Sequence, residues 1–298
     1  MNNIFANIQG DKTLWAVLIL LAGFSFLPVY SAASNLAYVS GSGNTFNYLF
    51  KHFIHLSLGF TFMYLMQKIP YHYFRGISIL MIPVVIVLLL YTIFQPSVTD
   101  SLTNTNRWIK IPFVGFTFQP STLAGVILMI YVSRYLAKIK DIDVRFSQTI
   151  LPLWIPTLFI LLLILPANFS TTAIIFSMVI LLCFVGGYPI KHLLGIVLSG
   201  ILVLSIFILT IKAYPGIFPN RVDTWKSRIE NFVNKENTSE NYQIEKAKIA
   251  IATGGVRGLG PGKSVQKNFL PQSSSDFIFA IIIEEYGLIG GLFLLTVY

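Results

Sequence analysis

Charge is what this chain has least of. Only 11% of its 298 residues are Asp, Glu, Lys or Arg, while 55% are hydrophobic; a soluble domain carries about 25% charged residues. No single core could hide that much apolar surface from water. The composition therefore excludes a soluble globular enzyme and places the chain in a bilayer. Cysteine is nearly absent: Cys183 is the one residue and lies inside an apolar run, which excludes an internal disulfide framework. Histidine is scarce as well, and His52 and His55 stand three apart without a Cys or a third His, which argues against a metal site there. No cleavable signal peptide is evident, because the first apolar run is long, lacks a clear small-residue cleavage site and is followed by many more. The net charge of +9 does not point to nucleic acid, since the basic residues lie between apolar runs. Membrane lipids, or a phosphorylated lipid substrate, are the better partners for them.

What the chain does have is apolar runs near the roughly 20 residues that a bilayer span needs. Eight qualify: 14–32, 48–66, 77–94, 119–137, 151–166, 171–187, 192–212 and 277–298. The expected fold class is all-α, a polytopic transmembrane helical bundle forming a single membrane domain over 1–298. The tight turn Pro166 to Ser170 makes spans five and six a helical hairpin. With the N-terminus in the cytoplasm, the inside connections hold Lys12, Lys68, Arg75, Arg134, Lys138, Lys140, Arg145 and Lys191, and the short outside loops hold only Lys51, Arg107 and Lys110. Eight against three is the asymmetry of the positive-inside rule. It places the polar segment 213–276 outside the cytoplasmic membrane. There Asp223 opens a short amphipathic pattern of Trp225, Ile229 and Phe232, and a second helical pattern runs from Glu240 to Thr253 and stops at Gly254-Gly255. Two such helices are expected to form a lid lying on the membrane surface.

The chemistry-bearing residues concentrate late in the chain. Asp276 stands just ahead of the last apolar run, after Ser273-Ser274-Ser275, which is a helix N-cap signal; a cap and an acid available for chemistry are both open readings. Gly262-Lys263-Ser264 is not a Walker A loop, because the required first glycine is Arg257. With Arg257, Lys263 and Lys267 nearby, the same stretch could hold a pyrophosphate through N–H groups and charge, or simply face anionic headgroups. Glu284 and Glu285 lie within the span, roughly 12 Å deeper than Asp276 at 1.5 Å per residue. Intramembrane acids face a protein interior or a cavity, where an ion pair with another span and a catalytic role both fit. In the outer loop 95–118, Arg107, Trp108 and Lys110 serve either as interfacial anchors or as substrate contacts.

Taken together, Arg107-Trp108, Gln119-Pro120-Ser121, Tyr242-Gln243, Gly254-Gly255, the run Gly258 to Ser264, Leu270-Pro271, Asp276 to Ala280 and Glu284 to Leu288 resemble the SEDS family of FtsW, RodA and SpoVE. The resemblance covers nearly the whole chain, and Gly-Pro-Gly-Lys-Ser is closer to the division member FtsW than to the elongation member RodA. It implies a peptidoglycan glycosyltransferase of the bacterial cytoplasmic membrane that polymerises lipid II, the undecaprenyl-pyrophosphate disaccharide-peptide, on the outer face. It implies that Asp276 is catalytic, as general base, and that Gln119, Ser121, Gln243 and Ser264 join Arg107, Trp108, Lys110, Arg257, Lys263 and Lys267 around the substrate, with Glu284 and Glu285 supporting them. A cognate class B penicillin-binding protein and divisome proteins are the implied partners. No tightly bound cofactor is expected, while a divalent cation, Mg or Mn, would suit a pyrophosphate leaving group. The chain departs from the family pattern at Thr122, where Glu is usual, at Gly125, where Lys is usual, and at Asn168, where an acid is usual. It also reaches Tyr298 in its eighth span, whereas the family has ten, so it is expected to be C-terminally incomplete. A flippase for a lipid-linked substrate, an elongation-type polymerase and a scaffold that recruits an enzyme are the competing readings.

Overall fold

The computed structural model describes residues 10–39, 45–95, 108–110, 117–140, 142, 145–213, 239–270 and 275–298. Arg107 and the amphipathic pattern at 223–232 lie outside them. The chain divides into two compact units, 1–69 with 226–298, and 70–225.

The unit formed by 70–225 contains α3 (Tyr71–Phe94), a hairpin of β1 (Ile109–Lys110) and β2 (Thr117–Phe118), then α4 (Pro120–Ile139), α5 (Phe146–Thr149), α6 (Ile155–Ile164), α7 (Phe169–Val185) and α8 (Ile190–Ala213). Its core is mainly apolar, built from Val85 and Leu89 of α3, Leu128 and Val132 of α4, Ile160 and Ile164 of α6, and Ile175 and Val179 of α7. Between α5 and α6 the chain makes one π-helical turn, Ile150–Trp154. Pro156 lacks the N–H that would bond the Pro152 carbonyl, and the Tyr131 hydroxyl donates to that carbonyl instead, at 2.5 Å. The outward faces are as apolar as the core: Leu198, Leu202 and Leu209 of α8 are all exposed, as lipid-facing side chains are.

The unit formed by 1–69 and 226–298 contains α1 (Lys12–Val39), α2 (Thr45–Met66), α9 (Ser239–Gly254) and α10 (Ile278–Val297), with a 3-10 turn at Gln266–Asn268. Its apolar cluster is small: Ala247 and Ala250 of α9 against Ala280, with Phe277 packed beside them. Such small side chains let two helices approach closely. The helical pattern read at 240–253 is therefore α9. It packs against α10, and its last residue, Gly254, meets the Ile283 backbone so closely that a Cβ there would fall 2.1 Å from the Ile283 carbonyl oxygen.

All eight apolar runs fall on helices. Among the described residues, Lys12–Ser34, Tyr71–Phe94, Pro120–Ile139, Phe146–Ile164 and Ile278–Val297 are long and apolar enough to cross a membrane, and Phe169–Val185 and Ile190–Ile206 are shorter apolar helices. The α2 helix carries Lys51, His52 and His55, which lower its apolarity.

Candidate functional site

The site is built on a break in α10. At Gly287 the backbone leaves the helix, with φ 72° and ψ −176°, a region that only glycine occupies readily. A break of this kind strands four backbone groups that the i to i+4 ladder would have joined. The carbonyls of Glu284 and Glu285 lose the N–H groups of Leu288 and Ile289. In an apolar environment each unpaired group is costly, and the glycine-rich segment supplies all four partners. Leu259 N–H donates to the Glu284 carbonyl and Gly260 N–H to that of Glu285, both at 2.9 Å, while the N–H groups of Leu288 and Ile289 donate to the carbonyls of Gly255 and Val256 at 2.9 and 3.3 Å. So close an approach leaves no room for side chains. A Cβ at Gly258 would lie 2.3 Å from the Glu285 carbonyl oxygen, and one at Gly287 2.2 Å from that of Val256.

The two carboxylates before the break point into the same segment. Glu284 and Glu285 are 0% and 1% exposed. The Glu284 carboxylate accepts the Ser264 hydroxyl through Oε2, the Val265 N–H through Oε1 at 3.0 Å, and the Gln266 N–H at 3.3 Å to either oxygen. Glu285 Oε1 accepts the Ser31 hydroxyl of α1 and the Ser264 N–H, the latter at 3.3 Å. Three successive N–H groups, Ser264 to Gln266, thus converge on anionic oxygens, a backbone nest whose anion is the protein's own. The Lys267 ammonium donates to the Gly262 carbonyl at 2.8 Å and to Ser31 Oγ at 3.2 Å, so Ser31 bridges Lys267 and Glu285. The second oxygen of Glu285 has no hydrogen-bond partner among the described residues.

This geometry redistributes the expected roles. Ser264 is 4% exposed, and its hydroxyl and N–H are both spent on the glutamates, so it is an anchor and not a phosphate ligand. The N–H groups read as a pyrophosphate cradle are occupied for the same reason. The Lys267 ammonium likewise turns inward, to Gly262 and Ser31. Arg257 and Lys263 remain exposed. Among the described residues the glutamates take no ion pair with another span; hydroxyls and backbone donors hold them. Sequence reasoning missed Ser31, whose signal was a hydroxyl among small residues, Ser31-Ala32-Ala33-Ser34, in an apolar helix.

Asp276 is exposed. Phe277, not Asp276, occupies the N-cap position of α10, and no side-chain cap bond is made there. The capping role open in the sequence is therefore not the one Asp276 plays. Gln243 lies half-buried on α9. In the other unit, Trp108 is exposed beside β1, Lys110 belongs to that strand, and Gln119 donates from Nε2 to Ser121 Oγ at 2.9 Å. No group of three or more His, Cys, Asp or Glu suited to holding a metal occurs among the described residues.

Comparison with known proteins agrees with this architecture. The family model described as "Cell cycle protein", for FtsW, RodA and SpoVE, matches residues 11–298. The chain belongs to this family. It is 30% identical to the probable peptidoglycan glycosyltransferase FtsW of Marinomonas mediterranea, covering 98% of this chain and 70% of that one. It is 27% identical to the protein of the same name from Coxiella burnetii, covering 98% and 76%. One chain of a solved structure, described as structural coordination of polymerization and crosslinking by a peptidoglycan synthase complex, shares the fold with a TM-score of 0.67 and 18% identity over 98% of this chain and 75% of that one. The protein is thus a multi-pass membrane member of the FtsW, RodA and SpoVE family. Two of its three departures from the family pattern have local explanations. Asn168 is the N-cap of α7, its Oδ1 accepting the Thr171 N–H at 3.2 Å, a task Asp and Asn perform equally well. Gly125 faces Ile175, which would lie 3.3 Å from a Cβ there. Nothing in the structure explains Thr122.

Proposed function

We propose that this chain is a division-type peptidoglycan glycosyltransferase, polymerising lipid II at the outer face of the bacterial cytoplasmic membrane with Asp276 as general base. The observation that carries the reading is the state of Asp276: a carboxylate at the mouth of a membrane helix, exposed and not spent on capping it. A sugar hydroxyl is a weak nucleophile, and a carboxylate within hydrogen-bond reach removes its proton as it attacks the lipid-linked anomeric carbon. Charge then develops on the departing pyrophosphate, where Arg257 and Lys263 can stabilise it. Gln243 of α9, in the same unit as Asp276, is the further substrate contact of this reading.

The relatives' names support the activity, and the solved complex that pairs polymerization with crosslinking supports a partner transpeptidase, a class B penicillin-binding protein of the divisome. Transport of a lipid-linked substrate, the competing reading, drew on the intramembrane carboxylates; their bonds to Ser264, Val265, Gln266 and Ser31 give those groups another task. Purified protein incubated with labelled lipid II should form glycan strands without an added polymerase, and the Asp276→Asn variant should not. Lipid movement without strands would support transport instead. The orientation has its own test. A single cysteine at residue 237, outside the described residues, in a chain lacking Cys183, should react with an impermeant maleimide in intact spheroplasts, and reaction only after lysis would reverse the topology.

A further inference from the structure

We propose that Glu284 is a positioning residue, an internal anion that holds Ser264 to Gln266 and thereby fixes where the adjoining Lys263 presents its charge. The inference rests on the functional reading above, since it concerns how that site meets a lipid-linked pyrophosphate.

The segment between α9 and the 3-10 turn is pinned at two ends. Residues 255–260 are pinned by backbone bonds into the break at Gly287. Residues 264–266 are pinned by the Glu284 side chain, which among the described residues is the acceptor for the Val265 and Gln266 N–H groups. Between the pins stand Pro261, Gly262 and Lys263, and Lys263 is exposed. A carboxylate suits this task because two oxygens offer about four lone-pair sites, and Glu284 uses them on a hydroxyl and two N–H groups. The chain's own anion occupies the nest, so the substrate's charge must be met by side chains on its rim. Removing the carboxylate strands the buried Ser264 hydroxyl and leaves the part-buried Val265 and Gln266 N–H groups without their acceptor, which loosens the segment. Glutamine in its place keeps the carbonyl oxygen for Val265 and Gln266, and its amide can donate to Ser264 Oγ. A positioning role therefore survives Glu284→Gln, whereas a role for the charge itself does not.

The test is hydrogen exchange over residues 259–270 in the full chain, beside lipid II kinetics, for wild type, Glu284→Ala, Glu284→Gln and Ser264→Ala. Exchange at Val265 and Gln266 should accelerate by about tenfold to a hundredfold in Glu284→Ala, the range for a lost hydrogen bond to a charged group, and stay within a few-fold in Glu284→Gln. The KM for lipid II should rise by about tenfold in Glu284→Ala, with kcat changing less, and return towards wild type in Glu284→Gln. Ser264→Ala removes one donor only and carries the same test, with smaller effects, if Glu284→Ala does not fold. Unchanged exchange in the alanine variants overturns the anchor. Accelerated exchange with an unchanged KM overturns the positioning role, as does a glutamine variant that is protected from exchange yet as inactive as alanine. A wild type that forms no glycan defeats the functional reading instead, and the exchange arm then decides the anchor by itself.

Discussion

Asp276 and the Glu284–Glu285 pair stand on one short stretch, and the chain treats them in opposite ways. The glutamates are buried to 0% and 1% exposure and enclosed by hydroxyls and backbone donors from α1 and the glycine-rich segment. Asp276 is exposed and makes no cap bond to the helix it precedes. Burial of a carboxylate is tolerable only when its oxygens are satisfied, so the glutamates are committed to structure. An acid left uncommitted at the helix mouth is the one available to a substrate. The same carboxylate group in two environments thus separates a scaffold from a candidate reacting group.

The comparison breaks most severely if the docked segment cannot form. Gly287→Ala places a Cβ 2.2 Å from the Val256 carbonyl oxygen and 2.5 Å from its carbon, at φ 72°. These are backbone atoms, which cannot rotate aside, and the conformation itself costs a non-glycine residue about 1–3 kcal/mol. The expected loss is more than about 4 kcal/mol, seen as a collapse in the monodisperse fraction and in melting temperature. A variant melting with the wild type would mean the break is not as described.

The second effect falls on rate alone. Asp276→Asn keeps the shape but cannot take a proton, and general-base catalysis contributes about 10²–10⁴-fold, or roughly 3–5 kcal/mol of activation free energy. Polymerisation should fall by that factor while the melting temperature stays at the wild-type value. Near-normal turnover would remove Asp276 from the mechanism.

How much of this was legible in the sequence follows from the physics of each signal. Spans are read from apolar length, because lipid demands it, and all eight runs fall on helices. The helix at 240–253 was legible, but its partner was not, because Ala247, Ala250 and Gly254 pack through their smallness and carry no apolar bulk that would announce a buried face. Ser264 was misread because a sequence displays donors without their acceptor. A nest of N–H groups beside lysines resembles a phosphate site until the folded chain supplies Glu284 from twenty residues away. Gly287 was hidden for a related reason, since a single glycine in an apolar run reads as continuous helix.

The smallest effect gives the cleanest comparison, because one truncation can be made at two helix starts. Asn168 caps α7 through Thr171 N–H at 3.2 Å, whereas Asp276 lies one residue outside the N-cap of α10 and bonds none of its N–H groups. Replacing a capping Asn by Ala costs about 1 kcal/mol, so Asn168→Ala should lower stability by that amount in thermal melts and leave lipid II turnover per folded molecule unchanged. Asp276→Ala should do the reverse, melting within about 0.5 kcal/mol of wild type, as surface changes do, while turnover is lost. Asn168→Asp supplies the control, since Asp and Asn rank alike as caps and the variant should melt with the wild type. Equal destabilisation by alanine at both positions would make Asp276 a cap after all, and would return its exposed carboxylate to a structural role.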